Sequence, residues 1–375
     1  MKKVVIAIDS FKGCLPSAEA GKAAAEGIRS VYPECEVICL PIADGGEGML
    51  DVLITATNGQ EVPISAHDPL MRWRNTYYGI SENGETAFIE MASISGLPLV
   101  PPERRNPMLT TTYGTGEIIR DALERGCRNF IIGIGGSATN DAGLGMLQAL
   151  GFRFSDKEGK EVGTGRGEVL IKVAHIDSTC VHPALNSCRF TVACDVQNPF
   201  YGPEGAAYVF APQKGADREM VEALDAGLQN FAEVIRHTTG KDISHHPGAG
   251  AAGGMGGSLL AFLNAELKPG IQLMLEALNF SNKIKSADLI ITGEGKADRQ
   301  TLMGKVPSGI LAEARKQNIP VILLAGNIED SDELQQAGFE GVFSVNPPFI
   351  SLEEAMRPEV ARKNIQQTVE SICKK

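Results

Sequence analysis

Four stretches of the 375-residue chain set a carboxylate in a turn directly after an apolar run: AIDSFKG (7–13), IADGGEG (42–48), ACDVQNPF (193–200) and ITGEGKAD (291–298). Glycine lets backbone close on a ligand. Carboxylates gathered around an anion repel it unless a divalent cation lies between. One acidic strand end is ordinarily a turn former or an N-cap; four in the same context point to a shared site for an anion and Mg2+. Lys12, beside Asp9 and Ser10, and Lys305, in MGKVPSG, can neutralise phosphate charge. A lone lysine, by contrast, is more often a hydrated surface residue.

The stretch IIGIGGSATNDAGLG (131–145) has the layout of a phosphate cradle: an apolar run, glycines, a polar turn and a helix start. It lacks the lysine of the GxxxxGK[ST] signature. Gly133, Gly135 and Ala138 spell GxGxxA, and Asp156 follows about 20 residues on, which is formally a dinucleotide fingerprint. An NAD(P)-dependent oxidoreductase is therefore a rival reading. Against it, Ser137, Thr139, Asn140 and Asp141 crowd the turn with donors and a charge, which suits a hydroxylated or phosphorylated small molecule. A second GxGxxG, at Gly248, Gly250 and Gly253 in PGAGAAGGMGG (247–257), follows no strand and reads as accidental. The six histidines form no HExxH or Ser/His/Asp pattern.

Strand ends need a sheet to hold them. VVIAIDS, an Ala-rich helix from Ser17, EVICLPIAD and a helix ending at Gly59 alternate as a parallel, helix-covered sheet does. After residue 60, EVPISAHDP, RNTYYGI and TAFIEMA read as strands on short connections. A helix over 218–238 carries Val221, Leu224, Leu228, Phe231 and Ile235 at core spacing. The α/β rhythm returns near 287 and closes with a helix opening at Pro358. The expected fold class is α/β. Both chain ends, residues 1–60 plus 285–375, form a doubly wound parallel-sheet (Rossmann- or flavodoxin-like) domain, and a second α/β mixed-sheet domain, 61–284, is inserted.

A net charge of −11 argues against nucleic acid or an anionic membrane as partner, but a small anion needs only a local cation cluster. Eight scattered cysteines form no CxxC pair and read as buried thiols of a reducing compartment. No apolar run approaches the ~18 residues a membrane span needs. The expectation is a soluble, cytoplasmic protein.

Jointly, DSFKG (9–13), ADGGEG (43–48), PPERRNPMLTTTYGTGE (101–117), GIGGSATNDAGLG (133–145), CDVQNP (194–199), GAGAAGGMG (248–256) and TGEG (292–295) resemble the type-1 glycerate kinase family over essentially the whole chain. The resemblance implies ATP-dependent phosphorylation of D-glycerate with Mg2+, in a fold unlike P-loop or protein kinases. It also implies the use of glycerate formed from glyoxylate or aldaric acids. One departure is NDAGLG, where glycine at 142 and alanine at 144 would fit the family pattern better than Ala142 and Leu144. Bacterial relatives in glycerate use look like 2-kinases, so 2-phosphoglycerate is the expected product, with 3-phosphoglycerate the alternative. A regulatory protein that binds glycerate without consuming ATP is the non-enzymatic alternative.

Roles follow from the resemblance. Asp195 is the carboxylate expected nearest the attacking hydroxyl, as base or through Mg2+, with Lys12 as the catalytic cation. Glu294 and Asp298, then Asp44 and Glu47, are the expected metal ligands. Gly135, Gly136, Ser137, Thr139, Asn140 and Asp141 are expected to grip hydroxyls or phosphate, with Asp9, Ser10, Asn198 and Lys305. Arg105 suits glycerate's carboxylate as a bidentate fork. A hinge between domains would close the site and exclude water. The expected partners are D-glycerate and ATP; a homo-oligomer is left open.

Overall fold

The computed structural model describes residues 1–46 and 48–374. In chain order the strands are β1 (Lys3–Ile8), β2 (Glu36–Cys39), β3 (Gln60–His67), β4 (Trp73–Ile80), β5 (Thr86–Glu90), β6 (Asn129–Gly133), β7 (Arg153–Ser155), β8 (His175–Asp177), β9 (Arg189–Ala193), β10 (Glu266–Lys268), β11 (Leu289–Ala297), β12 (Val321–Ile328) and β13 (Gly341–Ser344). The chain divides into two compact units, Met1–Asp44 with Ile271–Lys375, and Gly45–Gly270. No helix among the described residues is long and apolar enough to cross a membrane.

The first unit is built on an all-parallel sheet of order β13-β12-β11-β1-β2. Val4 to Ile8 are all buried, because helices cover a parallel sheet on both faces and leave its strands no polar side. Helices Ser17–Val31 and Pro358–Cys373 pack on each other. Gly27 permits this: a Cβ there would lie 2.5 Å from the Gln366 carbonyl. Pro358 opens the last helix at its first turn. The N-cap of the first of these helices falls one residue before Ser17. Pro16 holds that position, and the Ser17 hydroxyl donates to the Ile8 carbonyl (2.6 Å) and accepts from the Ile42 N–H (2.9 Å), tying the end of β1 to the chain leaving β2.

From β1 the chain winds to β2 on one side, whereas β11 lies on the other side and continues outward to β12 and β13. Strand order therefore reverses between β1 and β11. In open α/β sheets that switch point leaves a crevice at the carboxyl ends of the strands, where ligands bind.

The second unit holds a mixed sheet of order β10-β9-β6-β5-β4-β3, antiparallel at β3–β4 and β4–β5 and parallel elsewhere, and a separate antiparallel pair β7-β8. Helix Met49–Ala56, grouped by its sequence rhythm with the first strands, packs instead on β4 and β5. Val221, Leu224, Leu228, Phe231 and Ile235 are buried along helix Arg218–Thr239, as their spacing dictates. Helix Met255–Leu263 begins inside the glycine-rich segment, whose composition conceals it.

Candidate functional site

At the carboxyl ends of β1 and β11 lies a cavity of ≈ 350 Å³. Asp9, Lys12, Asp44, Glu294 and Lys305 give it a charged lining; Val345, Leu352, Ala355 and Met356 give it an apolar one. Asp9 follows β1 directly, and its N–H continues the ladder to the Gly293 carbonyl (2.9 Å). Its carboxylate is 6 % exposed and accepts from the Ser10 N–H at 2.7 Å. Burial and then the charge of Asp44 push its pKa up to about 7, against the pull of Ser10 and Lys12. Glu294, also 6 % exposed, accepts from the Thr301 hydroxyl (2.6 Å) and from Lys305 Nζ (3.4 Å). Burial raises its pKa too, with Thr301 and Lys305 opposing. Lys12 Nζ stands 3.5 Å from Asp44.

Three of the expected metal ligands lie among the described residues; Glu47 lies outside them. Asp44 and Glu294 line the cavity. Asp298 does not: its carboxylate caps the turn Arg299–Leu302, accepting from the Gln300 N–H (2.8 Å), and pairs with Lys296 (3.4 Å). Among the described residues no three His, Cys, Asp or Glu side chains converge as a closed metal cage.

In the second unit, the turn after β6 exposes Gly135 and Gly136 and takes Ser137 to Asp141 inward. Gly136, at φ 71, makes the bend. Asp141 is fully enclosed. It accepts from the Thr112 N–H and hydroxyl (2.8 Å each) and from the Gly143 and Gly145 N–H groups (3.2 Å each), which ties it into its own unit. Thr139 Oγ1 and both polar atoms of the Asn140 side chain are buried without a hydrogen-bond partner.

The residue that sequence reasoning missed is Lys214. It is 2 % exposed, and its Nζ donates to Ser137 Oγ and to the Thr139 carbonyl, each at 2.7 Å. Burial pushes its pKa down to about 7, with Asp141 pulling the other way. The one signal was its setting in YVFAPQKGA (208–216), a lysine in an otherwise uncharged run. Gly215, at φ 96, brings the following turn onto the Arg105 backbone; a Cβ there would sit 2.3 Å from the Arg105 carbonyl. Arg105 is half-buried, and its Nε reaches only the Val100 carbonyl at 3.4 Å.

Asp195 is exposed, just past β9, and its Oδ1 accepts from the Gly270 N–H at 2.8 Å. Asn198 donates one amide hydrogen to the Glu204 carbonyl (2.8 Å), which leaves its second amide hydrogen for a ligand.

The dinucleotide reading fails on topology. The strand after the loop, β7, pairs with β8 outside the sheet that holds β6, and Asp156, just past β7, closes a turn with Lys160, so no strand beside β6 presents it to a ribose. Gly250 and Gly253 are packing glycines: added Cβ atoms would lie 2.1 Å from the Pro199 and Thr139 carbonyls.

The sequence profile of the Glycerate kinase family matches residues 4–375. A glycerate 2-kinase of Escherichia coli K12 is 48% identical over 95% of this chain and 93% of its own length. A glycerate kinase of Bacillus subtilis 168 is 46% identical over 99% and 97%. A solved structure described as a glycerate kinase 2 of Salmonella typhimurium LT2 superposes with TM-score 0.91 at 44% identity, covering 100% of this chain and 97% of that one.

Proposed function

We propose that this chain, which belongs to the glycerate kinase family, transfers the γ-phosphoryl group of ATP to the 2-hydroxyl of D-glycerate, giving 2-phosphoglycerate and ADP. Glycerate kinase activity is the premise; the donor, the regiochemistry and the residues are our reading. The observation that carries it is the switch-point cavity, where three lysines and three carboxylates share a lining with an apolar wall. A nucleoside triphosphate has matching halves, an anionic tail and a flat apolar base. The choice of O2 leans on the E. coli relative described as a glycerate 2-kinase.

Phosphoryl transfer asks a protein chiefly to position groups and neutralise charge. Lys12 and Lys305 supply fixed positive charge to the phosphates. One or two of the carboxylates Asp9, Asp44 and Glu294 would hold Mg2+, together with the substrate phosphates. Burial first, and then the charges of Asp44 and Glu294, raise the pKa of Asp9, and a divalent cation would relieve that penalty on the carboxylate. Mg2+ keeps several waters and takes one or two carboxylates plus substrate phosphates, so a closed cage of side chains is not required. When bound, it neutralises charge on the phosphate oxygens. In the second unit, Arg105 and the Gly135–Asn140 loop would hold glycerate, and the exposed Asp195 would accept the proton of the 2-hydroxyl.

The direct test incubates the protein with D-glycerate and MgATP and follows ADP. Product is then coupled to enolase with and without phosphoglycerate mutase. Enolase turnover without mutase is the expected result. Dependence on mutase would transfer the assignment to O3, and ADP release indifferent to glycerate would sink the kinase reading.

A further inference from the structure

Lys214 is a buried lysine without an ion pair among the described residues. Both of its hydrogen-bond partners are neutral and the pull of Asp141 does not offset its burial, which directs attention to an anion from outside the chain. An ammonium has three donors and no acceptor. One donor goes to the Thr139 carbonyl and one to Ser137 Oγ. Ser137 must therefore accept in that bond, and its own hydroxyl hydrogen is turned away from Lys214. The open side of the loop is the exposed pair Gly135–Gly136, next to Ser137, which retains 8 % exposure. A cation donating into a hydroxyl also polarises it and strengthens its outward hydrogen bond.

Two further observations point to a ligand here. The buried hydrogen-bonding atoms of Thr139 and Asn140 have no partner within the protein, so the loop's polar groups exceed what its own fold can satisfy. Arg105, held against Gly215, is a second cation with no ion pair among the described residues.

We propose that Lys214 is a positioning residue which, through Ser137, makes the Gly135–Asn140 loop a donor site for the carboxylate of the hydroxy acid. The proposal rests on the glycerate kinase reading above. A carboxylate suits the site better than a phosphate tail does. One hydroxyl donor backed by one buried lysine matches a single two-oxygen anion, while the lysines suited to a phosphate chain line the switch-point cavity. An anionic oxygen on Ser137 keeps the proton on Lys214, as Asp141 does from the interior.

A double-mutant cycle tests it, with D-glycerate and ADP affinities read by calorimetry beside steady-state kinetics. Lys214→Met and Ser137→Ala should each raise the KM and Kd for D-glycerate about 10- to 100-fold, the loss of one hydrogen bond to a charged group. ADP affinity and kcat should stay near wild type, and the double variant should be no worse than the weaker single one, because both remove the same interaction. Ser137→Thr, which keeps the hydroxyl, should restore affinity. Effects that multiply, or an unchanged glycerate KM, would overturn the proposal. A rise confined to the KM for ATP would do the same, by giving the site to phosphate. Should Lys214→Met fail to fold, the Ser137→Ala and Ser137→Thr pair still decides. A wild-type protein that releases no glycerate-dependent ADP defeats the kinase reading instead.

Discussion

Asp9 and Asp141 stand in turns that follow parallel strands, and burial raises the pKa of both. Their surroundings make them opposites. Asp141 accepts four hydrogen bonds from its own unit, two from Thr112 and one each from Gly143 and Gly145. It joins the start of helix Tyr113–Glu124 to that of helix Leu144–Ala149. Asp9 accepts from the neighbouring Ser10 N–H and faces a cavity that also holds Asp44 and Glu294. A satisfied buried carboxylate holds a fold together. A poorly satisfied one among like charges is a site kept ready for something positive.

Breaking each carboxylate separates the two roles. Asp9→Asn should lower kcat by roughly 10²–10⁴-fold, as loss of a group acting on transition-state charge does, and ADP release assays read it. The same variant should gain stability at alkaline pH. The folded pKa of Asp9, about 7, lies above its unfolded value of 3.8, so the folded state binds the proton more tightly. Wild-type stability from this group is full below pH ~4 and lost as pH rises through ~7. In metal- and nucleotide-free buffer, the Tm advantage of Asp9→Asn should grow from pH 4 to pH 8, toward a ceiling of about 2–4 kcal/mol. An advantage that shrinks with pH would show that Asp9 is not repelled in the folded state.

Asp141→Ala should give the reverse result. It strands four buried donors and should cost roughly 3–5 kcal/mol in urea unfolding, with activity lost only as the fold is lost. A folded, inactive Asp141→Ala protein would move Asp141 into the chemistry and erase the contrast. The apolar wall sharpens the picture on the cavity side. Met356→Trp should weaken ADP binding about 10-fold or more by filling space meant for a base, with the KM for glycerate unmoved. Equal losses in both substrates would dissociate this wall from the nucleotide.

The smallest effect belongs to Ala142, one residue past Asp141. It is buried at φ 53, a left-handed conformation that glycine adopts more cheaply, which is the physical basis for expecting glycine there. Ala142→Gly should add about 0.5–1 kcal/mol, relief of backbone strain outweighing the extra freedom of the unfolded chain. Differential scanning calorimetry would detect it, and a loss of stability would show that the Ala142 methyl packs well enough to offset its strain.

Much of the frame is visible in local pattern. The apolar run of β1, the Pro358 helix start and the Val221–Ile235 stripe each depend on residues close in sequence, and each forms as that spacing requires. Helix Met255–Leu263 is hidden because its glycines answer to tertiary packing, Gly256 to the Gly248 carbonyl and Gly257 to the ring of Phe200 from far along the chain. Within the candidate site, Asp9, Lys12, Asp44, Glu294 and Lys305 carry their chemistry in their types and their strand-end places. Asp298 has the same kind of place but spends it on a local cap, and Asn198 spends one amide hydrogen on a local turn.

By itself, the sequence determined which chemical groups stand at strand ends, that glycines free the backbone around them, and, through its joint motifs, the family. Tertiary structure alone decided how each group is used. Reversing strand order between β1 and β11 opens the cavity. Folding the APQKGA turn beneath Ser137 enclosed Lys214. Four donors closing on Asp141 tied it into its own unit. The reason is electrostatic: the behaviour of a charge depends on how much water is removed from it and what replaces that water, and the replacing groups arrive from far along the chain.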